Sequence, residues 1–467
     1  MSTDTALLGI RGQLFDTPVY GQLRARNNGA LVIEDGHIIE VGDYEIMRKK
    51  AREKKVRWLH SANVAVFPGL IDVHSHIPQY PAIARGQTEL LPWLRQHIFP
   101  LEREFTGPKA KKEAGQFFRE LARHGTTTAM LYTAIFRDSC EAAFQAAQKT
   151  GHRAIIGKMM MDVGSYGSLQ PKKILSISLL ESEQLCKKWH GANDGLLQYA
   201  FSPRFAVSCT ERMMRAAGEL AKQYDAYIET HLAENLEELE KVRNLFPQAK
   251  DYTDVYDQCG LLGPKTMLGH CIHLSEREIE VMAERGSKAA HCPTANFFLS
   301  SGIMKLDQML AAGVGVGLGT DVAAGLELNL WQVMRTVIEA QKARSFYEKN
   351  VRVPGLAEVL FHATQGAADA LGMGQKIGSL EGGKEADLTV MDFQSLRPYP
   401  RHSKSADLTP EDILSLCIYR GGPAAVVETF VRGKSIYRAP EPELFSEGGS
   451  LEPDDLSRQR RGGTHSQ

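Results

Sequence analysis

The chain has 467 residues, of which 43% are hydrophobic and 24% are charged, a composition typical of globular enzymes with a large core. Its 55 basic and 56 acidic residues give a formal net charge of -1, which excludes a bulk affinity for nucleic acid or for anionic membranes.

The N-terminal segment and the cysteines indicate the cellular compartment. MSTDTALLGIRG lacks the charged and apolar regions of a signal peptide. No apolar run approaches the roughly 20 residues that a membrane-spanning helix needs. The seven cysteines are scattered and never form C-x-x-C, which favours reduced thiols over a disulfide framework. We therefore expect a cytoplasmic protein.

The two ends of the chain are rich in short strand-like segments separated by glycine turns. ALLGIRGQLFD and GALVIEDGHIIEVGD stand near the start, and IGSLEGGKEADLTVMD and AVVETFVRGKSIYR stand near the end. We predict that segments 1–66 and 377–440 pair into one small β-sandwich domain, with segment 67–376 inserted between them. The polar composition of segment 441–467 predicts a disordered tail.

Eight apolar runs alternate with helical patterns in segment 67–376. In chain order they are FPGLIDVH, TTTAMLYTA, AIIGKMMMD, LLQYAFSPR, AYIETHLAE, TMLGHCIH, KAAHCPTA and VGVGLGTD. Stretches such as ERMMRAAGELAKQY and SEREIEVMAERG between them have helical periodicity. Eight repeated β–α units predict an α/β protein built on a closed (β/α)8 TIM barrel, in which the chemistry takes place at the C-terminal ends of the strands.

Four histidines and an aspartate fall at those strand ends. His74 and His76 are two residues apart in the first run, so their side chains project in the same direction from a strand. A lone His-x-His is often an ordinary loop feature. His231, His270 and Asp321, however, end the fifth, sixth and eighth runs. Such a set suits Zn²⁺, which can lower the pKa of a bound water to about 7, and it also suits Fe²⁺ or Mn²⁺.

Glu234 follows His231 by three residues and is a candidate general acid and base. The alternative is a loop carboxylate or a negative charge at a helix N-terminus. A position beside ligand histidines favours proton transfer to a substrate held over the metal. Asp321 can both contact the metal and take the proton of the attacking water.

Several motifs resemble those of known metal hydrolases. HSH, HLAEN, LGHCIHL and GLGTDVAAG, in this order, resemble the amidohydrolase superfamily. Longer segments from about residue 66 to 330 resemble the guanine deaminase family within it: HSHIPQY, LLPWLRQHIFPLEREF, HGTTTAMLYTA, SPRFAVSCTERMM, THLAENLEELEKV, YTDVYDQCGLL and AHCPTANFFLSSG. The resemblance implies a homodimeric enzyme that deaminates guanine to xanthine and ammonia with zinc.

The same resemblance implies the metal ligands. They are His74, His76, His231 and Asp321. His270 is either a further ligand or the residue that holds the attacking water. Carboxylate and imidazole ligands of this kind agree with the set that the strand ends predict.

The resemblance also implies how the purine is bound. Gln79, Arg204 and Phe205 match the purine-recognition positions of the family. An arginine fork and a glutamine amide can read a purine carbonyl and ring nitrogens, and a phenylalanine can stack on the ring. Trp93 either lines the same pocket or packs behind it. Glu234 is implied as the residue that contacts the purine and delivers a proton to N3.

One metal ion per chain is expected. Relatives with two metals carry a carboxylated lysine at the end of the fourth strand, where this chain has Ser202-Pro203-Arg204-Phe205. Lys158 belongs to the third predicted strand.

Other functions fit the sequence less well. Within the same class, 8-oxoguanine, another aminopurine or an s-triazine are alternative substrates. The zinc deaminases with H-x-E and P-C-x-x-C use a second motif that this chain lacks. A non-catalytic relative would be expected to lose ligands, yet all expected positions are filled. VRGKS is not the end of a phosphate-binding loop, because Glu428 stands where the first glycine belongs.

Overall fold

The computed structural model describes residues 7–51, 55–86, 89–166, 171–398 and 408–440. The predicted tail, segment 441–467, lies outside the described residues. Within these ranges, no helix has the length and apolar character required to cross a membrane. All seven cysteines are buried and free, as the sequence predicts.

The chain begins with five strands. They are β1 (Leu7–Val19), β2 (Gln22–Glu34), β3 (His37–Asp43), β4 (Val56–Leu59) and β5 (Ala65–Pro68). The Asp-Gly turn between β2 and β3 is a hairpin, as the sequence predicts.

Eight further strands follow, one for each apolar run. They are β6 (Leu70–His76), β7 (Thr126–Tyr132), β8 (Arg153–Met160), β9 (Leu197–Pro203), β10 (Tyr227–Leu232), β11 (Thr266–His270), β12 (Lys288–His291) and β13 (Val316–Leu318). Neighbours in this series pair in parallel and in chain order. The predicted (β/α)8 barrel is therefore confirmed.

The last three strands are β14 (Leu388–Met391), β15 (Val426–Val431) and β16 (Lys434–Arg438). β14 pairs with β5, so both chain ends join one sheet in the order β16-β15-β14-β5-β1-β2-β3, with β4 beside β1. Side chains from both ends share one hydrophobic cluster that includes Ile10, Leu31, Val66, Leu388 and Phe430. The predicted second unit is thus confirmed as a sheet that both chain ends share, and its bounds, 1–66 and 377–440, stay a prediction.

Helices fill most of the connections. They are α1 (Tyr44–Lys50), α2 (Leu90–Trp93), α3 (Phe99–Glu104), α4 (Gly107–Arg123), α5 (Arg137–Thr150), α6 (Pro171–Trp189), α7 (Glu211–Tyr224), α8 (Leu236–Leu245), α9 (Tyr252–Gln258), α10 (Glu276–Arg285), α11 (Pro293–Phe298), α12 (Leu306–Ala311), α13 (Leu330–Ser345), α14 (Leu356–Ala363), α15 (Gln365–Ala370) and α16 (Pro410–Arg420). A 3₁₀ helix covers Ile77–Ala82 directly after β6.

Asp72 joins the first and last barrel strands. Its Oδ1 accepts hydrogen bonds from the backbone N–H of Thr320 at 3.0 Å and of His74 at 3.2 Å. The backbone N–H of Asp321 donates to the carbonyl oxygen of His74 at 2.9 Å. These contacts close the barrel between β6 and β13 and bring the His-x-His pair beside Asp321.

A buried ionic cluster joins the opposite end of the barrel to the second sheet. Arg153, the first residue of β8, forms ion pairs with Glu385 and, at 3.2 Å, with Asp387. Arg432 Nε lies 2.7 Å from Glu385 Oε2. A buried charge pair of this kind is costly to break, because one partner is left uncompensated.

Candidate active site

His74, His76 and Asp321 meet at the C-terminal end of the barrel. The two histidine Nε2 atoms lie 3.5 Å and 3.4 Å from Asp321 Oδ1. Burial alone would raise the pKa of Asp321, but the imidazoles of His74 and His76 beside its carboxylate hold that pKa well below its usual value. Burial lowers the pKa of His76 to about 4. Asp321 is therefore an anion, and the imidazole of His76 is neutral at pH 7.

His231 and His270 each have one ring nitrogen fixed by an acceptor. His231 Nδ1 lies 2.7 Å from the carbonyl oxygen of Arg204, and His270 Nδ1 lies 2.9 Å from Asn296 Oδ1. Because these oxygens only accept, Nδ1 of each ring carries a proton. In His231 the lone pair on Nε2 is then free, and this atom faces His76 Nε2 at 3.2 Å. Burial lowers the pKa of His231 well below its usual value.

The ligand atoms of these residues could hold a divalent metal ion. Ligand atoms fall into two overlapping groups, His74–His76–His231 and His74–His270–Asp321, each within 4.8 Å. His74 Nε2 is buried and makes no hydrogen bond to any described residue. Ligands about 2.0 Å from a tetrahedral ion are about 3.3 Å from one another. The separations His74–Asp321, His76–Asp321 and His76–His231 are 3.5 Å, 3.4 Å and 3.2 Å, which matches this value. The sequence-predicted group is therefore assembled with the spacing that a metal requires.

Glu234 lies beside this group, two residues beyond the end of β10. Its Oε2 is 3.4 Å from His270 Nε2, and its Oε1 accepts a hydrogen bond from Ser301 at 3.4 Å. Burial, reinforced by the charges of Asp321 and Glu238, raises the pKa of Glu234 well above its usual value. The N-cap of α8 is Asn235, so Glu234 itself does not cap the helix.

A cavity opens over the candidate metal group, defined as His74, His76, His231, His270 and Asp321. Its wall consists of His76, Gln79, Leu90, Trp93, Leu94, Arg204, Phe205, His231, Glu234, His270, Leu299, Asp321 and Ala324. All the residues that the sequence predicts for the purine are thus part of one wall. Trp93 lines the cavity, and its buried indole N–H donates to the carbonyl oxygen of Arg85 at 2.9 Å.

Gln79 and Arg204 are connected through a glutamate that sequence reasoning missed. Glu102 in α3 is buried and accepts from Gln79 Nε2 at 3.0 Å and from Arg204 Nη1 at 2.6 Å. Burial alone would lower the pKa of Arg204, but the charge of Glu102 raises it above its usual value. The only signal in the sequence was an acidic residue within the quoted segment LLPWLRQHIFPLEREF.

Two more residues near the metal group were missed. Asn296 in α11 orients His270, and its position lies within AHCPTANFFLSSG. The ring of Tyr132, the last residue of β7, stacks on His76 with centroids 4.5 Å apart and an angle of 12°. The segment HGTTTAMLYTA contains Tyr132, but a strand-end tyrosine alone does not indicate a site.

Lys158 points away from the metal group. Its Nζ donates to the carbonyl oxygen of Ile135 at 3.1 Å and to Ser178 of α6 at 3.0 Å. The lysine is therefore buried between the barrel and its helices, and burial lowers its pKa. This orientation agrees with the expectation of one metal ion.

A parallel barrel with histidines, a carboxylate and a cavity at the C-terminal ends of its strands defines a class of barrel hydrolases. The model of the amidohydrolase family matches residues 65–436 of this chain. The chain therefore belongs to the amidohydrolase family.

Within that family, the chain is similar to guanine deaminases. It is 32% identical over 455 residues to the guanine deaminase of Escherichia coli, covering 94% of this chain and 99% of that protein. The solved structure named E. coli guanine deaminase has a TM-score of 0.86 at 31% identity, covering 92% of this chain and 100% of the other. Guanine deaminase from C. acetobutylicum with bound guanine has a TM-score of 0.85 at 29% identity, with the same coverage. The resemblance that the motifs predict is confirmed.

Proposed function

We propose that this protein catalyses the hydrolytic deamination of guanine to xanthine and ammonia. The observation that carries the proposal is one cavity whose wall combines a candidate metal group with Gln79, Arg204 and Phe205. The similarity to guanine deaminases, one of which was solved with guanine in its active site, supports the same substrate.

The purine is held by three side chains of this wall. Arg204 donates hydrogen bonds to the C6 carbonyl oxygen, and the amide of Gln79 forms a hydrogen bond with the adjacent ring nitrogen N1. Phe205 stacks on the face of the purine ring, so its apolar contact leaves the polar edge of the purine open to Arg204 and Gln79. Leu90, Leu94 and Trp93 complete an apolar wall that excludes water around the substrate.

His74, His76, His231 and Asp321 would hold the metal, which we propose to be zinc, with Fe²⁺ and Mn²⁺ as alternatives. Such a metal supplies Lewis acidity and lowers the pKa of water to about 7. His270 lies farther from the carboxylate, with Nε2 3.8 Å from Asp321 Oδ2, and near Glu234. That position suits a residue that orients the attacking water.

Two carboxyl groups carry the protons. Asp321 accepts a proton from the water that attacks C2 of guanine. Glu234 delivers a proton to N3, so that the ring nitrogen takes up the electron pair of the breaking C=N bond. Asp321 then passes the water proton to the 2-amino group, the C2–N bond breaks and ammonia leaves. Glu234 takes the proton of the remaining hydroxyl as the carbonyl of xanthine forms, so both carboxyl groups return to their starting states. Proton transfers of this kind by positioned side chains contribute rate factors of about 10²–10⁴.

Ammonia release from a panel of substrates tests the proposal. The purified protein is analysed for metal and incubated with guanine, 8-oxoguanine, adenine, cytosine and melamine. We expect guanine to be strongly preferred and about one zinc to be bound per chain. If the protein binds metal but does not turn over guanine, metal-dependent hydrolysis stays the proposed chemistry and guanine is excluded as its substrate.

The assembly and location of the enzyme are further proposals. The resemblance to guanine deaminases supports a homodimer in the cytoplasm, with a small purine as the partner. Light scattering on the purified chain measures the mass directly. A monomer at micromolar concentration would contradict the dimer, and fractionation of the source cells tests the location.

A further inference from the structure

We propose that Glu102 is a positioning residue that sets the purine specificity of this site. It does so by fixing which hydrogen-bonding groups Gln79 and Arg204 present to the cavity. The inference rests on the proposed function, because it assumes that these two side chains bind the purine.

Glu102 contacts both recognition residues without lining the cavity whose wall was described above. Its two carboxylate oxygens are divided between them: Oε1 accepts from Gln79 Nε2 and Oε2 accepts from Arg204 Nη1. The three side chains are all buried, with exposed fractions of 0% for Glu102, 2% for Gln79 and 3% for Arg204. A charge-assisted network of this kind in a buried site holds its members in one geometry.

The chemistry of a carboxylate fixes the orientation of the Gln79 amide. A carboxylate in an ion pair with arginine only accepts hydrogen bonds, so it must face the NH₂ end of the amide. The carbonyl oxygen of Gln79 then lies at the other end and is available as an acceptor. Arg204 has donors only. Glu102 therefore sets an arginine donor beside a glutamine acceptor.

This donor–acceptor pair matches one class of purine edge. A 6-oxopurine such as guanine or hypoxanthine presents a carbonyl acceptor at C6 beside the N1–H donor. A 6-aminopurine such as adenine presents an amino donor beside an N1 acceptor, which is the reverse. In a buried site the reversed edge leaves polar groups unpaired, and such mismatches are rejected strongly.

The same helix restrains the guanidinium group a second time. Arg204 Cζ lies 5.1 Å from the centre of the Phe99 ring, and both Phe99 and Glu102 are in α3. The backbone carbonyl of Arg204 is in turn fixed by His231. Rotating the guanidinium to fit a reversed edge would break its ion pair with Glu102 and its contact with the ring of Phe99. Two residues of α3 outside the cavity wall thus determine which edge Arg204 can bind.

Calorimetric binding of hypoxanthine and adenine tests the role of Glu102 without relying on turnover. In the wild type we expect hypoxanthine to bind at least about 100-fold more tightly than adenine. In Glu102→Gln the new amide can donate to Gln79, so the Gln79 amide can turn over and present its NH₂ group. The preference for hypoxanthine should then fall at least tenfold.

Glu428→Gln is the matched control. Glu428 is a buried glutamate in β15 of the second sheet, pairs with Arg438 at 2.7 Å and does not line the cavity. We expect this variant to keep the wild-type preference, whatever its thermal stability. Loss of the preference in both variants would show a general effect of buried charge and would overturn the proposal.

An exchange of the two side chains provides the decisive variant. In Gln79→Glu/Glu102→Gln, the amide at position 102 donates to the carboxylate at position 79, which again presents an acceptor to the cavity. The hypoxanthine preference should recover at least tenfold over Glu102→Gln. An unchanged preference in Glu102→Gln, or no recovery in the exchange variant, overturns the inference. A wild type that binds hypoxanthine selectively but does not deaminate guanine would overturn the proposed function alone.

Discussion

His231 Nδ1 lies 2.7 Å from the backbone carbonyl oxygen of Arg204, and the backbone N–H of His231 donates to the same oxygen at 3.1 Å. One carbonyl group thus joins a member of the candidate metal group to the residue that is proposed to read the purine. It also fixes the proton of His231 on Nδ1 and leaves Nε2 for the metal. The ends of β9 and β10 therefore hold the side chain of His231 and the backbone of Arg204 at a fixed separation.

Glu234→Gln tests proton transfer. The amide keeps the size of the side chain but cannot shuttle a proton to N3, so we expect kcat for guanine to fall by a factor of about 10³ or more. Bound metal, measured by elemental analysis, should stay at the wild-type level. Glu237→Gln, at an exposed position nearby in α8, is the control and should be unaffected. Full activity of Glu234→Gln would exclude the proposed role.

Asn296 provides a test of histidine orientation. Removing its acceptor in Asn296→Ala frees the His270 ring and its tautomer, and such changes around metal sites typically cost about 10–100-fold. Asn296→Asp keeps an oxygen acceptor at the same place and should lose much less. The measurement is kcat/KM for guanine. Equal losses in the two variants would show that packing, rather than the hydrogen bond to His270, is responsible.

Lys158→Met tests the number of metal ions. Because the amine points toward α6, its loss should leave the metal content at about one per chain. Lys188→Met, at an exposed position in α6, is the matched control. Elemental analysis of the three proteins checks this directly. A fall in metal content for Lys158→Met alone would reveal a second site that uses the lysine.

Glu385→Gln tests the ionic cluster between barrel and second sheet. Burial raises the pKa of Glu385, but the hydrogen bond with Arg432 and the charge of Arg153 outweigh burial and lower it to about 2. A carboxyl with a depressed pKa stabilises the fold above its unfolded value of about 4.3, and this contribution is lost as the pH falls toward 2. At pH 7 we expect the variant to lose about 1–2 kcal/mol of unfolding free energy. The loss is moderate because the side chain of Arg432 is partly exposed, so solvent screens its ion pair with Glu385.

Urea unfolding of metal-free wild type and variant at pH 7, 5 and 3 measures this difference. Metal-free protein is used so that release of the ion at low pH does not contribute. The difference should be nearly constant between pH 7 and 5 and should shrink at pH 3. Glu40→Gln, which removes an exposed ion pair with Lys50, should stay within about 0.5 kcal/mol throughout. A difference that does not change with pH would exclude the ionic explanation.

The sequence by itself determined the barrel and the family to which the chain belongs. Each strand of a parallel barrel is a short apolar run that ends at the catalytic face, so His74, His76, His231 and His270 could be assigned to one rim from their positions alone. These are local signals, readable within a few residues of each strand. The amidohydrolase motifs follow the same strand ends.

Tertiary structure alone decided which polar residues support that rim. Glu102 meets Arg204 across 102 residues of chain, and Asn296 meets His270 across 26, so no local pattern marks either contact. The face of β8 on which Lys158 lies was likewise set by packing against α6. Hydrogen bonds between distant segments form only when the barrel closes, because closure brings the strand ends and their connecting helices to one place.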